Sequence, residues 1–361
     1  MSIKEIAKRA NTSISTVSRV LNSPGYQCKQ KELSEKIWEI AKELNYLPNT
    51  AAQNLRRGIR SDTKEKFTVD VFLTRYDSLE QDYFFRELYQ LLKEELLAQG
   101  CFLGQLLTTM DVTNFTLDAT KTPESIPYRS IKQPMVETKP VLDIENKKNT
   151  GLILFGKCPP ELYPALKKRY TYIVGIDRNP TEYLYDEVIC NGATAAEKAL
   201  EYLISLGHRS IAYIGNCSYE SRYIGYYQSL FQHKIPLNHE NIHVSNQTEA
   251  EGYKIMMSIL ESKNRPTAIF CANDTTAMGV LKAMRKKRKR GYVPSIISID
   301  NIEGAEYTTP PLTTITIPKQ EMVHFAISLL LDRKNGNHHA PVRLELPCSL
   351  CIRESCTYVN E

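Results

Sequence analysis

The sequence predicts a small all-α helix-turn-helix domain at the N-terminus, followed by a large α/β body of parallel sheets flanked by helices. Apolar residues repeat at helical spacing through about the first 45 residues. From residue 69 onward, short β-rich apolar runs alternate with helical segments, which is typical of parallel sheets. Because 361 residues exceed one typical domain, we expect the body to form two stacked lobes with a cleft between them.

Three apolar stripes indicate the helices of the N-terminal domain. They consist of Ile3, Ile6, Ala7 and Ala10, then Val17, Val20 and Leu21, and finally Leu33, Ile37, Ile40, Ala41 and Leu44. The polar segment 11–13 between the first two favours a turn and a helix cap. Two helices joined by a short turn predict a helix-turn-helix, whose second helix enters the major groove of DNA. A generic three-helix bundle is the alternative interpretation.

The positive charge of the protein is concentrated in this domain. Residues 1–60 hold eleven Lys and Arg against five Glu, whereas the rest of the chain holds 35 basic and 36 acidic residues. Such asymmetry favours a nucleic-acid-binding module on a neutral body. A second basic run, at 285–290, falls at the predicted end of a helix, where cations interact favourably with the helix dipole. We therefore interpret that run as a solvated helix end and not as a second nucleic-acid patch.

Several protein classes are excluded or disfavoured. The charged N-terminus is not a signal peptide, and no apolar run is long enough to span a membrane. Nine scattered cysteines indicate reduced thiols and a cytoplasmic location. No phosphate-binding loop, nucleophile elbow or zinc-protease motif occurs, so we expect no catalytic residues and no enzyme activity. The two cysteines of Cys348-x-x-Cys351 would face opposite ways on a strand, so we expect no metal site and no cofactor.

Strand and helix patterns in the body are regular enough to assign. The predicted strands are 69–73, 152–155, 172–176, 187–190, 210–214, 268–271 and 296–299, and the predicted helices include 83–98, 161–168 and 194–206. The long polar stretch 110–149 receives no assignment. Ligands of open α/β sheets bind beyond the carboxyl ends of the strands. Polar residues just after these strands are therefore candidates for a binding site.

Sequence blocks in both parts resemble the lactose/galactose repressor (LacI/GalR) family. In the headpiece they are IKEIA at 3–7, STVSRVLN at 15–22 and ELNYLPN at 43–49. In the body they include LGHRSIAYIG at 206–215, AND at 272–274 with AMG at 277–279, PLTTI at 311–315 and IRES at 352–355. The resemblance implies a headpiece with a hinge helix at 1–58, the hinge lying at about 48–56. A linker at 59–67 and a two-lobed periplasmic-binding-protein-like domain at 68–361 would follow.

The resemblance also implies which residues contact DNA. Ile14 and Ser15 would read bases, Arg19 would bind guanine in a bidentate manner, and Thr16 and Ser18 would touch phosphates. An ordinary polar helix start is the alternative for Ser15. The hinge residues implied to bind DNA are Asn49, Ala52, Gln53 and Leu55, of which Leu55 would wedge between base pairs from the minor groove.

By the same resemblance, the effector would contact Asp177, Arg222, Asn273 and Asp300 between the lobes. Carboxylates and arginine offer paired hydrogen bonds to adjacent hydroxyls, which suits a sugar. Asn273 as a helix cap and Asp177 as a turn residue are alternatives that remain open. Aromatic residues near position 83 are expected to be lobe core more often than ligand wall.

The sequence thus predicts a homodimeric transcription regulator, a repressor, that binds a pseudo-palindromic double-stranded operator under control of a small sugar-like effector. A regulator controlled by a partner protein docking on the lobes is one alternative. An enzyme or transport-binding protein with an incidental helical start is the other.

Overall fold

The computed structural model divides the chain into two compact units, Met1–Lys66 and Phe67–Glu361. The described residues are 3–22, 33–34, 36–37, 40, 67–75, 78–108, 111, 149–160, 162–218, 220–287 and 291–359. The expected hinge helix and the expected linker up to residue 66 lie outside these ranges, so their limits stay predictions. Each unit is described below by itself.

Two short helices, α1 (Ile3–Arg9) and α2 (Ile14–Asn22), form the described helix-turn-helix. Asn11 between them has a φ of 51°, a left-handed conformation that asparagine tolerates. The Ser13 hydroxyl caps α2 by accepting a hydrogen bond from the Thr16 amide at 3.0 Å. The shared apolar core consists of Ile6, Ala7, Ala10, Val17, Val20, Ile37 and Ile40. The apolar stripes of the sequence therefore identified the inner faces of these helices correctly.

The second unit alternates strands and helices. Its strands are β1 (Thr68–Leu73), β2 (Phe102–Leu107), β3 (Thr150–Phe155), β4 (Tyr172–Asp177), β5 (Asp186–Ile189), β6 (Ile211–Gly215), β7 (Ile242–Val244), β8 (Ala268–Cys271), β9 (Ser295–Asp300), β10 (Thr313–Thr316), β11 (Arg343–Glu345) and β12 (Ser349–Cys351). Its helices are α3 (Tyr83–Ala98), α4 (Tyr163–Arg169), α5 (Gly192–Ser205), α6 (Ser221–Gln232), α7 (Glu249–Glu261), α8 (Asp274–Lys286) and α9 (Lys319–Lys334).

These strands form two six-stranded sheets, one in each lobe. The first lobe has the strand order β11-β5-β4-β3-β1-β2 and the second lobe has β12-β10-β9-β8-β6-β7. Neighbouring strands run parallel, and the exception among the described pairs is the antiparallel edge strand β12 beside β10. The predicted α/β fold class with two lobes of parallel sheet is therefore confirmed.

Within the described ranges, the chain passes between the lobes three times. Helix α5 packs against β8, β9 and β12 of the second lobe, whereas α9 packs against α3, β4 and β5 of the first lobe. The three crossovers are consequently the segments 190–191, 317–318 and 346–348.

Burial explains why the sequence patterns identified these elements. All six residues of β3 are buried, as expected for a parallel strand covered on both faces. Helix α3 begins where the Asp82 carboxylate accepts hydrogen bonds from the amides of Phe84 and Phe85, and its apolar residues recur at helical spacing. The placement of both CxxC cysteines on one strand was wrong, because Cys348 precedes β12.

We expect Gly279→Ala to destabilise the second lobe. A Cβ at this position would lie 2.0 Å from the carbonyl oxygen of Glu249, where α7 and α8 pack closely. Relief requires the helices to separate, at a cost of about 1–3 kcal/mol, which thermal unfolding followed by circular dichroism would register as a lower Tm. Gly304→Ala is the matched control, since its new Cβ would meet Met278 at 3.4 Å. An equal loss in both variants would contradict this interpretation.

Candidate functional site

Charged side chains gather at the carboxyl ends of the strands, where the two lobes face each other. Asp177 ends β4 and Asp300 ends β9, and both are buried although they are carboxylates. Arg178 follows β4 directly and is 1% exposed. Buried charges of this kind must pair with one another or bind a ligand. The strand ends therefore form the candidate site in the second unit.

Arg222 lies at the start of α6 and is completely buried. Its Nε and Nη2 donate to the two carboxylate oxygens of Glu220, both at 2.9 Å. Nη1 donates to the carbonyl oxygen of Ala272 at 2.6 Å, and Nη2 also donates to Oε1 of Gln247 at 3.0 Å. Most of the guanidinium donors are therefore held by protein groups, and the predicted contact of Arg222 with an effector stays a prediction.

The ion pair with Arg222 controls the protonation of Glu220. Burial by itself would raise the pKa of the Glu220 carboxyl, but the charge and the hydrogen bonds of Arg222 lower that pKa to about 2. Glu220 is thus ionised throughout the neutral range. Sequence reasoning missed it, although a glutamate two residues before an arginine at a helix start is a pattern that could have suggested this pair.

Arg178 of the first lobe forms an ion pair with Asp300 of the second lobe. Its guanidinium carbon also lies 4.3 Å from the centre of the Phe84 ring, a cation–π arrangement. Burial raises the pKa of Asp300 to about 7, even though the Arg178 charge opposes that rise. Asp300 has a φ of 126°, a strained conformation for a residue with a side chain. The strain occurs where the two lobes meet.

Asp274 fixes the strained turn at Asp300 through three hydrogen bonds. Its carboxylate accepts hydrogen bonds from Ser298 at 2.5 Å, from Thr314 at 2.6 Å and from the amide of Ile302 at 2.8 Å. The chain on both sides of Asp300 is thereby fixed to the first residue of α8. Such over-determined surroundings are what a strained backbone conformation requires.

Asn273 caps α8 in this structure. Its Oδ1 accepts hydrogen bonds from the amide of Thr276 at 3.0 Å and from the hydroxyl of the same residue at 2.6 Å. Its Nδ2 donates to the carbonyl oxygen of Gln247 at 3.2 Å. The alternative interpretation of Asn273 as a helix cap therefore describes its present hydrogen bonds. A contact with an effector remains a prediction.

Three buried polar atoms around this site have no hydrogen-bond partner within the described chain. They are Oδ1 of Asp177, Nε of Arg178 and Nε2 of Gln247. An unsatisfied buried polar atom costs about 1–3 kcal/mol, so three in one region need an explanation. The acceptor atom of Asp177 and the donor atom of Arg178 lie on the first lobe, and the donor atom of Gln247 lies on the second lobe. A polar ligand bound between the lobes would supply partners to both sides.

Further polar contacts join the lobes beside this site. Arg75, just after β1, donates from Nη2 to Oε1 of Gln247 at 3.3 Å. On the other side, Glu87 on α3 accepts from the amide of Glu303 at 2.8 Å, and Lys319 at the start of α9 donates to the carbonyl oxygens of Asp300 and Asn301 at 3.0 and 2.9 Å. Charged groups therefore take part in several of the contacts between the lobes, and their energies depend on ligands and ions more than those of apolar contacts do.

The candidate nucleic-acid surface lies on the N-terminal unit. Ile14 at the start of α2 is 48% exposed, and Ser15 beside it is exposed, while Thr16 is half-buried. The Ser13 hydroxyl lies 2.7 Å from that of Ser15. Ser18 and Arg19 belong to α2, but their side chains lie outside the described part, as do all of Asn49, Ala52, Gln53 and Leu55. An apolar side chain exposed at a helix start, next to hydroxyls, is typical of a surface that contacts a partner.

Neither a metal site nor a membrane-spanning helix occurs within the described ranges. No group of three or more His, Cys, Asp or Glu side chains there is arranged to hold a metal ion. Likewise, none of the helices resolved above is long and apolar enough to cross a membrane.

We expect the Asp300 carboxyl to make the stability of the second unit depend on pH near neutrality. Its pKa is about 7 in the folded protein against 3.8 for an ordinary Asp, so the folded state binds this proton more tightly. The stabilisation is complete below about pH 4 and is lost as the pH rises through about 7. Between these limits the Tm of the wild type should fall with rising pH by a few degrees more than that of Asp300→Asn.

Differential scanning fluorimetry at fixed ionic strength measures this pH dependence. Glu306→Gln is the matched control, because it removes an exposed carboxylate from the same loop and should keep the wild-type slope. Parallel slopes for the wild type and Asp300→Asn would contradict the assignment.

Comparison with known proteins agrees with both units. Residues 2–49 match the bacterial regulatory proteins of the lacI family, and residues 200–356 match the periplasmic binding protein-like domain. The HTH-type transcriptional repressor PurR of Erwinia tasmaniensis is 30% identical to this chain, over 98% of this chain and 96% of that protein.

Two solved structures share the fold along nearly the whole chain. The complex of the transcriptional regulator CelR with cellobiose has a TM-score of 0.65 at 21% identity, covering 99% of this chain and 100% of that one. The lac repressor dimer bound to operator and the anti-inducer ONPF has a TM-score of 0.62 at 20% identity, covering 98% of each chain. Taken with the helix-turn-helix, the two-lobed body and the full-length identity to a repressor, these likenesses lead to one conclusion: the chain belongs to the lacI family of bacterial regulatory proteins, which are DNA-binding regulators of transcription.

Proposed function

We propose that this protein represses transcription by binding a pseudo-palindromic operator as a homodimer, and that a small polyhydroxylated effector bound between the lobes sets its affinity for DNA. In this proposal the protein lies in the cytoplasm, where it binds DNA and effector and catalyses no reaction. The proposed DNA contacts are Ile14, Ser15, Thr16, Ser18, Arg19, Asn49, Ala52, Gln53 and Leu55. The proposed effector contacts are Asp177, Arg222, Asn273 and Asp300, together with Arg178, Glu220 and Gln247.

The observation that carries the effector proposal is the set of three unpartnered buried polar atoms on Asp177, Arg178 and Gln247. A carboxylate oxygen accepts hydrogen bonds, whereas a guanidinium and an amide nitrogen donate them. A sugar hydroxyl does both, so neighbouring hydroxyls can satisfy all three atoms. The relative named for its complex with cellobiose carries a sugar on the same fold, which supports this ligand class.

Coupling to DNA follows from where the effector would lie. A ligand that engages Arg178 or Asp300 competes with the ion pair that joins the lobes, and therefore changes their relative position. This shifts the DNA-binding equilibrium only if the effector binds the two arrangements with different affinity. We propose that the altered lobe arrangement changes the spacing of the two hinge segments of the dimer, and thereby releases the operator.

The proposed dimer needs an apolar surface, and α6 supplies one. Ile224, Tyr227 and Phe231 are exposed by 48%, 49% and 76%, and they lie three and four residues apart on one helix face. Val244 on the neighbouring edge strand β7 is 71% exposed. Exposed apolar groups that share one face mark interaction surfaces. The lac repressor of the same fold is a dimer on its operator, which supports self-association here.

The direct test is fluorescence anisotropy with DNA from upstream of the protein's own gene, at fixed salt, with and without a panel of sugars. We expect tight, salt-dependent binding that one sugar alters. Tight binding that no sugar alters would contradict the effector proposal and favour the alternative of a partner protein docking on the lobes. Absence of specific binding to any DNA would contradict the repressor itself.

We expect Arg19→Met to weaken operator binding by about 5- to 150-fold, corresponding to roughly 1–3 kcal/mol for a bidentate contact with guanine. Non-specific binding should fall much less, so discrimination between operator and random DNA declines. Lys8→Met is the matched control, because it removes an equal charge from the exposed side of α1 and should leave that discrimination unchanged. Equal losses on both DNAs for Arg19→Met would reduce its role to phosphate contact.

We expect Gln247→Met to weaken the effector about 2- to 10-fold, as the loss of one hydrogen bond implies, while operator binding without effector is kept. Gln90→Met on the exposed face of α3 should behave as the wild type. Arg222→Ala is unsuitable for this test, since it would leave the Glu220 carboxylate buried with Arg75, 3.9 Å away, as its remaining ion-pair partner. An unchanged effector affinity in Gln247→Met, by isothermal titration calorimetry, would remove Gln247 from the proposed site.

A further inference from the structure

Two cysteines from distant parts of the sequence meet where two crossovers run side by side. Cys190 lies in the first crossover and Cys348 in the third, and they are 0% and 5% exposed. The adjacent strands β5 and β11 are parallel, with the Leu346 amide donating to the Ile189 carbonyl oxygen at 2.8 Å. Asn191, next to Cys190 in the chain, lines the same cavity as Cys348, so the first and third crossovers are in contact there, and each thiol changes the pKa of the other.

Cys348 also faces open space. It lines a cavity of about 250 Å³ whose other lining residues are Asn191, Thr194, Glu345, Leu346 and Pro347. A cavity of that size admits several water-sized molecules. Cys190 does not line it, so a small oxidant would reach Cys348 first.

The surroundings also distinguish the two thiols chemically. The interaction with Cys190 and the nearby charge of Lys198 lower the pKa of Cys348, whereas the interaction with Cys348 and burial raise the pKa of Cys190. Lys198 is held close, because its Nζ donates to the Cys348 carbonyl oxygen at 3.0 Å. A thiolate is the reactive form of cysteine, so Cys348 has the character of an attacking thiol and Cys190 that of a resolving one.

We propose that Cys190 and Cys348 form a peroxide-sensitive dithiol, whose oxidation to a disulfide ties the first and third crossovers together. The Cys348 thiolate attacks hydrogen peroxide, so that an S–O bond forms, the O–O bond breaks, and the departing hydroxide takes up a proton to become water. The sulfur of Cys190 then attacks the resulting sulfenic acid. The S–S bond forms as the S–O bond breaks, and the second hydroxide leaves as water with the Cys190 proton. Two electrons pass from the thiols to the peroxide.

The disulfide would restrict how the lobes move. Crossovers absorb the backbone changes when two lobes rearrange, and a covalent link between two of the three removes part of that freedom. The proposal goes beyond the proposed function, because the chemistry requires neither operator nor effector. It depends on the two thiols alone.

The test uses the full-length, fully reduced protein treated with hydrogen peroxide at one to ten equivalents, then alkylated and digested without reductant. Mass spectrometry should find a peptide pair linked through Cys190 and Cys348 as the main disulfide, and dithiothreitol should remove it. The Tm of the oxidised protein should differ by several degrees from that of the reduced protein, reversibly. Cys351→Ser is the matched control, since it leaves the pair intact and should give the same linked peptide.

Variants of Cys190 and Cys348 distinguish the resolving thiol from the attacking thiol. Cys190→Ala should yield no disulfide at Cys348, and dimedone should instead trap a sulfenic acid there. If that variant does not fold, Cys348→Ser should abolish both the linked peptide and the Tm change. Linkage of Cys348 to Cys351 or Cys356, or no linked peptide in wild-type protein whose circular dichroism is unchanged, would overturn the proposal.

Discussion

The buried ion pair between Arg222 and Glu220 is the interaction on which the arrangement of the cleft depends. It fixes the start of α6 against Ala272 and Gln247 through hydrogen bonds of 2.6–3.0 Å. Burying two charges costs desolvation energy that their attraction repays only when the geometry is good, so the pair contributes more to placement than to net stability. Because Arg222 donates two hydrogen bonds to Glu220, removing either partner leaves the other charge buried without those bonds.

The cleft contrasts with the interior of each lobe. Within the lobes, apolar strands such as β3 are buried along their whole length, and such packing does not rearrange by small degrees. Between the lobes, the contacts described above are polar and include the Arg178–Asp300 ion pair, and three buried polar atoms have no partner within the described chain. A polar ligand that binds in the cleft would form the hydrogen bonds that these atoms lack. The cleft is therefore the part of the second unit where ligand binding can change the structure.

The sequence predicted the elements better than the contacts. Strand–helix alternation sufficed for two parallel sheets, because buried parallel strands are apolar throughout, and the helix 83–98 was assigned with the limits it has in the structure. The roles of single polar residues depend on neighbours far along the chain. The resemblance implied an effector contact for Asn273 and left a helix cap as the alternative, and in the structure its Oδ1 accepts from the Thr276 amide and caps α8. Cys190 and Cys348 lie in two crossovers that are far apart in the sequence but line one cavity, at Asn191 and Cys348, and no local pattern encodes that contact.

The proposed effector and the proposed disulfide both act on the three crossovers between the lobes. An effector that replaces the Arg178–Asp300 ion pair would alter the lobe arrangement through these segments, and a disulfide at 190 and 348 would limit the same change covalently. A ligand shifts an equilibrium only by its difference in affinity for the two states, whereas a covalent link changes the equilibrium before any ligand binds. Two inputs acting on one element are therefore coupled by necessity: oxidation that favours one lobe arrangement must also change the affinity for any effector that prefers the other.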